Sequence, residues 1–340
     1  MKSEFRHHTS DLSRYNKNSI TGYMQSFETL SKQFAEKFET RHFPEQPASL
    51  YEPNEYFLKL GGKRVRPVLC LMGNELFDEI IPDAWHAATA IELFHNFTLI
   101  HDDIMDKAPL RRGKQTVHIK YNESTALLAG DVMMVKAYEY LNKISANTLN
   151  RVLSIFNKMS VDVCEGQQLD MDYESQNNVN INDYLRMIEL KTSVALAASL
   201  KIGALLGGGG ERNQNLLYEF GKKLGIAFQI QDDYLDAFGD GSKTGKQIGG
   251  DILANKKTFL LLHAMESEKN ELEKLMNTNS PDKVQNVLKI YKACKADEWA
   301  LELKNKYLDE ALSHLEDIAV LSKRKEPLRE LALFLVKRDH

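Results

Sequence analysis

Two short stretches place carboxylates where a core would be expected. "HDDIMD" covers His101–Asp106 and "QDDYLD" covers Gln231–Asp236, each of the form D-D-x-x-D inside apolar, helix-periodic sequence. Burying a carboxylate costs several kcal/mol unless a cation compensates it. On a helix, positions four apart share a face and positions seven apart nearly do. His95, Asp102 and Asp106 therefore form one stripe. Asp232 and Asp236 form a second, with Gln229 close to it. Two carboxylates four apart suit Mg²⁺, which keeps several waters and takes one or two carboxylates plus phosphate oxygens. The lack of accompanying cysteines, and the scarcity of histidines, disfavours zinc. One such motif alone reads most simply as solvated acids. Two copies on facing helices would repel each other unless metal ions lay between them.

The basic residues fit a metal-bound diphosphate, which also takes arginine and lysine. Lys63, Arg64 and Arg66 follow Gly61–Gly62. Arg111 and Arg112 come shortly after Asp106. Lys191 sits beside Thr192 ahead of an apolar run, and lysine is rarely buried unpaired. Lys246 and Lys256 bracket the end of the glycine-rich loop after the second acid motif. Lys243 and Lys257 read as surface charges.

Long, regular elements are needed to hold these side chains. No proline occurs from Leu110 to Ser280, which suits long helices, because an interior proline removes a hydrogen bond and clashes. "SVALAASLKIGALL" and "FGKKLGIAFQIQDDYLDAF" show three- and four-residue apolar spacing, and no set of alternating strands stands out. "LKLGGKRVRP" predicts a helix end, a Gly61–Gly62 stop and a new start at Pro67. "GGGG" (207–210) and "GDGSKTGKQIGGD" (239–251) predict loops. Charged, amphipathic outer helices are expected from about Glu266. The 340 residues, 43% of them hydrophobic, are expected to form one all-α domain over 1–340, with 1–20 a polar N-terminal arm. A net charge of −4 gives no electrostatic case for nucleic acid. Cys70, Cys164 and Cys294 lack zinc or disulfide spacing, which favours a reducing compartment. With no apolar signal region and no run long enough to span a bilayer, a soluble, cytoplasmic protein is expected.

In order along the chain, "GGKRVRP", "HNFTLIHDDIMD" with "LRRG", "GQQLD", "KT" and "FQIQDDYLD…GDGSKTGKQIGGDILANKKT" resemble the motifs of the trans-isoprenyl diphosphate synthases, or polyprenyl synthetases. The resemblance spans roughly Gly61 to Lys257. It implies a bundle of long, mostly antiparallel helices around a deep central cavity (the isoprenoid synthase fold), usually as a homodimer. It further implies Mg²⁺-dependent head-to-tail condensation of isopentenyl diphosphate with allylic diphosphates, with three Mg²⁺ per active site. Asp102 and Asp106, helped by Asp170, would bind two of these ions. Asp232 would bind the third, supported by Asp233 and Asp236. Arg111, Lys191 and Lys256 would hold the allylic diphosphate. Lys63, Arg66, His95 and Arg112 would hold isopentenyl diphosphate. Thr192 and Gln229 would face the developing cation, with Lys246 assisting from its loop. In family terms Phe97, five residues before Asp102, limits chain growth; Thr98 leaves out a second aromatic, and Phe94 is a possible further stop. That pattern favours a C20 product over C15, while Phe97 also reads as ordinary core packing. A terpene cyclase is the alternative that shares the first motif, although "QDDYLD" and "GGKRVRP" speak against it. A metal phosphohydrolase using His101–Asp102 and a catalytically silent partner subunit are the remaining rivals.

Overall fold

The computed structural model describes residues 23–176, 178–239, 248–278 and 280–337. The expected arm at 1–20, Lys243 and Lys246 lie outside the described residues. The chain runs through α1 (Phe27–Phe38), α2 (Ala48–Leu58), α3 (Val65–Glu75) and α4 (Pro82–Met105). A hairpin of β1 (Leu110–Arg111) and β2 (Lys114–Gln115) follows, then the short α5 (Val117–Lys120), α6 (Glu123–Leu141) and α7 (Ala146–Ser175). Next, α8 (Ile181–Ile188) passes through a π-helical turn, Glu189–Ser193, into α9 (Val194–Leu206). The remainder is α10 (Glu211–Phe238), the short α11 (Gly250–Leu253), α12 (Phe259–Met276), α13 (Lys283–Ala293), α14 (Ala296–Glu316) and α15 (Ser322–Lys337).

Several helices start where the sequence supplies a cap. The Ser26 hydroxyl accepts from the Thr29 N–H at α1, and Asn122 accepts from Thr125 at α6. Asn180 and Asp183 form a reciprocal capping box on α8. Pro82 opens α4, where its missing N–H costs nothing. The α3 start falls at Val65, two residues earlier than the sequence suggests. Gly61, Gly62 and Arg64 all adopt positive φ and turn the chain sharply, leaving Pro67 inside the first helical turn, where it is tolerated.

α9 is buried all round except at Lys201, as expected for a helix apolar on every face. It packs against α3, α7 and α10; α4 lies along α6, and α10 along α14. Two apolar clusters result. One gathers α1, α3, α4, α6, α7 and α9 with the first half of α10. The other gathers α8, α12 and α13 around the second half of α10. α10 belongs to both, through Leu217, Phe220 and Leu224 in the first and Ile226, Ile230 and Ala237 in the second. Its acids Asp232, Asp233 and Asp236 therefore lie on the half that reaches the second cluster. No described helix is long and apolar enough to cross a membrane.

Candidate active site

α4 ends at Met105, so Asp102 sits about one turn inside the helix while Asp106 is its exposed C-cap. Burial pushes the Asp102 carboxyl up to about 6; Lys191 opposes that rise and Asp106 adds to it. The middle acid behaves differently. Asp103 is buried and gripped by Arg111, whose Nε lies 2.9 and 2.8 Å from the two carboxylate oxygens and whose Nη2 lies 2.7 Å from Oδ1. The compensating cation for Asp103 is thus the protein's own, in the bidentate geometry that favours arginine. Asp102 and Asp106 are left for other work.

Arg111 comes from the β1–β2 hairpin, which folds back over the Gly61–Gly62 turn. A Cβ on Gly62 would lie 3.0 Å from Arg112 Nη2, so the glycine makes room for that guanidinium. Arg64 pairs with the buried Glu92. On α3, Arg66 Nη1 lies 3.1 Å from His95 Nε2. Burial first, and then Arg66, Arg112, Arg111 and Arg64, hold His95 well below its ordinary pKa, so its ring is neutral and Nε2 accepts. Arg66 Nε is buried without a hydrogen-bond partner. Four arginines thus crowd a corner whose acids are Glu92, Asp103 and Asp102, and a bound anion would relieve the imbalance.

Lys191 and Thr192 stand in the π turn, where the wider winding rotates them relative to α8 and α9. The Ser193 hydroxyl supports the turn by donating to the Ile188 carbonyl at 3.3 Å. Two glycines on neighbouring helices let it approach. A Cβ on Gly166 of α7 would sit 2.2 Å from the Lys191 nitrogen, and one on Gly225 of α10 would sit 2.6 Å from Ser193 Cα. Gly166→Ala should therefore cost roughly 1–3 kcal/mol as the helices part. Urea unfolding checks this, and an unchanged midpoint would refute the tight contact.

Lys191 Nζ meets Asp170 at 2.5 Å. Lys256 marks where the two acid motifs come together. Burial disfavours its charge, yet Asp251, Asp170, Asp106 and Asp233 outweigh that and raise its pKa. Asp233 is buried, and its own pKa is raised by that burial and by Asp251. It accepts from Tyr184 and from Gln229. Asp236 Oδ2 accepts from the Asp251 N–H at 3.0 Å, fixing the start of α11. Asp232 is half-buried on the same helix. Lys257 is no free surface charge, contrary to the sequence reading. Its ammonium donates to the carbonyls of Tyr173 (2.7 Å) and Gln176. These are orphan acceptors at the C-terminal end of α7, the helix that carries Asp170.

A cavity of about 390 Å³ runs beside α4, lined by Phe97, Thr98, Asp102, Arg66 and His95 together with Lys191 and Thr192. A second, polar one of about 110 Å³ holds Asp170, Gln229, Asp233 and Lys256 and shares Lys191 and Thr192 with the first. Lys63, Asp106, Arg111, Arg112, Asp232 and Asp236 line neither of these two. The Phe97 ring stands edge-on to His101 at 4.8 Å and 5.7 Å from Phe94, which meets Phe156 at 5.4 Å.

Residues 47–294 match the polyprenyl synthetase family. The chain is 41% identical over 308 residues to a geranylgeranyl pyrophosphate synthase of Geoglobus acetivorans, covering 90% of this chain and 96% of that one. It is 35% identical over 317 residues to a geranylfarnesyl diphosphate synthase of Natronomonas pharaonis, covering 87% and 92%. A crystal structure of geranylgeranyl pyrophosphate synthetase from Pyrococcus horikoshii Ot3 superposes with a TM-score of 0.86 at 35% identity, covering 92% of this chain and 98% of that one.

The chain belongs to the polyprenyl synthetase family. It has the isoprenoid synthase fold expected from its motifs and is a trans-prenyltransferase of the geranylgeranyl or short-chain isoprenyl diphosphate synthase type. Polyprenyl synthetases elongate prenyl diphosphates and generally depend on Mg²⁺. Among the described residues, no three histidine, cysteine or acid side chains close a metal cage on their own. Mg²⁺ does not need one, since it keeps water and takes phosphate oxygens with one or two carboxylates. An all-carboxylate donor set around Lys256, with Asp102 left unmatched by any short ion pair, fits an ion that arrives with a diphosphate. The phosphohydrolase reading loses its histidine. His101 Nε2 lies 3.1 Å from the Leu127 carbonyl and the ring packs on Phe97.

Sequence reasoning missed Asp103 as the holder of Arg111, Gly166 and Gly225 as the seats of the π turn, and Tyr184 as the partner of Asp233. Only the D-D-x-x-D and R-R spacings carried any signal for the first. The others join residues far apart in the chain.

Proposed function

We propose that this synthase condenses isopentenyl diphosphate with allylic diphosphates and releases mainly a C20 all-trans prenyl diphosphate, with C15 the lesser product. The observation that carries the reading is the meeting of acids from α4, α7 and α10 around Lys256, next to an apolar cavity whose wall holds Phe97.

Asp102, Asp106 and Asp170 would hold two Mg²⁺ and Asp232 a third, while Asp233 and Asp236 act as supports that fix neighbouring groups. Bound there, the ions would supply electrostatic stabilisation of the diphosphate leaving group. Arg111, Lys191 and Lys256 bind the same diphosphate and orient its C1–O bond toward the cavity. Lys63, Arg66, His95 and Arg112 bind isopentenyl diphosphate without metal; the buried, unpartnered Arg66 Nε is a donor waiting for a phosphate oxygen. When the allylic C–O bond breaks, the Thr192 and Gln229 oxygens face the cation, and the apolar walls exclude water that would capture it. The double bond of isopentenyl diphosphate attacks C1, and the departing diphosphate takes the proton. Lys246, outside the described residues, would assist from its loop. The described residues make up one domain, which acts as a homodimer and works in the cytoplasm.

Purified protein should convert isopentenyl diphosphate with dimethylallyl, geranyl or farnesyl diphosphate in Mg²⁺. Chromatography should show C20 dominating, and EDTA should abolish turnover until Mg²⁺ is restored. Condensation that survives chelation and responds only to zinc would overturn the metal assignment. A C25 or longer main product would overturn the length.

A further inference from the structure

Asp233 is buried, and both of its oxygens are engaged inside the protein. Oδ2 accepts from the Tyr184 hydroxyl, and Oδ1 accepts from Gln229 Nε2 at 2.9 Å. A carboxamide whose nitrogen is committed has its oxygen aimed the other way. Gln229 Oε1 is thereby turned toward Thr192, whose hydroxyl donates to it at 3.3 Å. With its only proton used, the Thr192 hydroxyl offers lone pairs to the cavity whose wall it forms. Tyr184 itself stands back from that cavity, lining only the smaller one, with its ring 6.0 Å from that of Phe259.

We propose that Tyr184 is a positioning residue for ionisation, acting through Asp233 and Gln229 to hold the Thr192 oxygen toward the developing allylic cation. The proposal rests on the reading of Thr192 and Gln229 given above. Tyr184 is buried, and its hydroxyl is spent on Asp233. Its hydroxyl pins one carboxylate oxygen, so that the other stays in place for the Gln229 amide. Without that pin, Asp233 can rotate and the Gln229 carboxamide can flip. The Thr192 hydroxyl is then free to turn its hydrogen toward the cation, a dipole of the wrong sign at the reacting carbon.

Tyr184→Phe keeps the ring in the core and removes only the donor. Its kcat should fall about 10-fold, with KM for isopentenyl and geranyl diphosphates within about twofold of wild type. Thr192→Val should lower kcat at least as far, and the double variant should be no slower than Thr192→Val alone, since both changes remove one chain of contacts. A Tyr184→Phe enzyme with unchanged kcat, or with its loss expressed in KM, overturns the proposal. So does a double variant in which the two losses multiply. A Thr192→Val enzyme as fast as wild type instead overturns the reading of Thr192, and the proposal with it. Loss of condensation in the wild-type protein would mark failure of the proposed function itself.

Discussion

Asp102→Ala should lower turnover by several orders of magnitude while the protein stays folded. Asp102 stands inside the last turn of α4, its carboxyl pushed up to about 6 by burial, with Lys191 nearby. Such a group is costly to keep unless a bound cation uses its charge. Removing a carboxylate that anchors leaving-group stabilisation should raise the barrier by roughly 3–6 kcal/mol. Asp102→Asn keeps the shape and loses the charge, so it should be nearly as slow. Asp232→Ala should match it if the second motif holds its own ion. Arg66→Ala should behave otherwise, raising mainly the KM for isopentenyl diphosphate. Steady-state kinetics with both substrates varied checks all four. Near-normal kcat in the Asp102 variants would refute the assignment, and an effect of Arg66→Ala confined to the allylic substrate would redraw the two pockets.

Phe97→Ala should lengthen the product. Phe97 lies five residues before Asp102 on α4, roughly 7 Å deeper along the axis. A prenyl chain anchored at Asp102 and Asp106 would grow along the cavity past that level. The ring lines the cavity and is braced by His101 at 4.8 Å and Phe94 at 5.7 Å. A methyl group in its place opens space that a longer chain can fill. Phe94, buried against Phe156, then becomes the next obstacle and limits the shift. With farnesyl diphosphate as starter, the variant should make products beyond C20 with only a modest loss of total condensation. An unchanged length distribution from a folded, active variant would make Phe97 ordinary core.

Much of the site was legible because its chemistry is carried by local spacing. D-D-x-x-D on a helix dictates which carboxylates share a face, and the absence of proline between Leu110 and Ser280 left few alternatives to long helices. Yet the same spacing said nothing of what Asp103 meets. Adjacent helical residues point about 100° apart, and which of them faces a cavity depends on what packs behind the helix. The answer came from Arg111, brought back by a hairpin too short for any strand pattern to announce. Lys257 was misread for a like reason. Its partners are carbonyls of Tyr173 and Gln176, far away in the chain, and no side-chain pattern records a backbone acceptor.

The sequence by itself determined the helical class, the family and the residue types that meet a diphosphate, because periodicity and motif order are properties of the chain alone. The tertiary structure decided the rest: that acids from α4, α7 and α10 gather around Lys256, that Lys191 and Thr192 ride on a π turn seated against Gly166 and Gly225, and that Tyr184 stands behind Asp233. Each of these joins segments that share no local pattern. The physical reason is that helix periodicity fixes which face a residue takes, while only the packing of one helix on another fixes what that face meets.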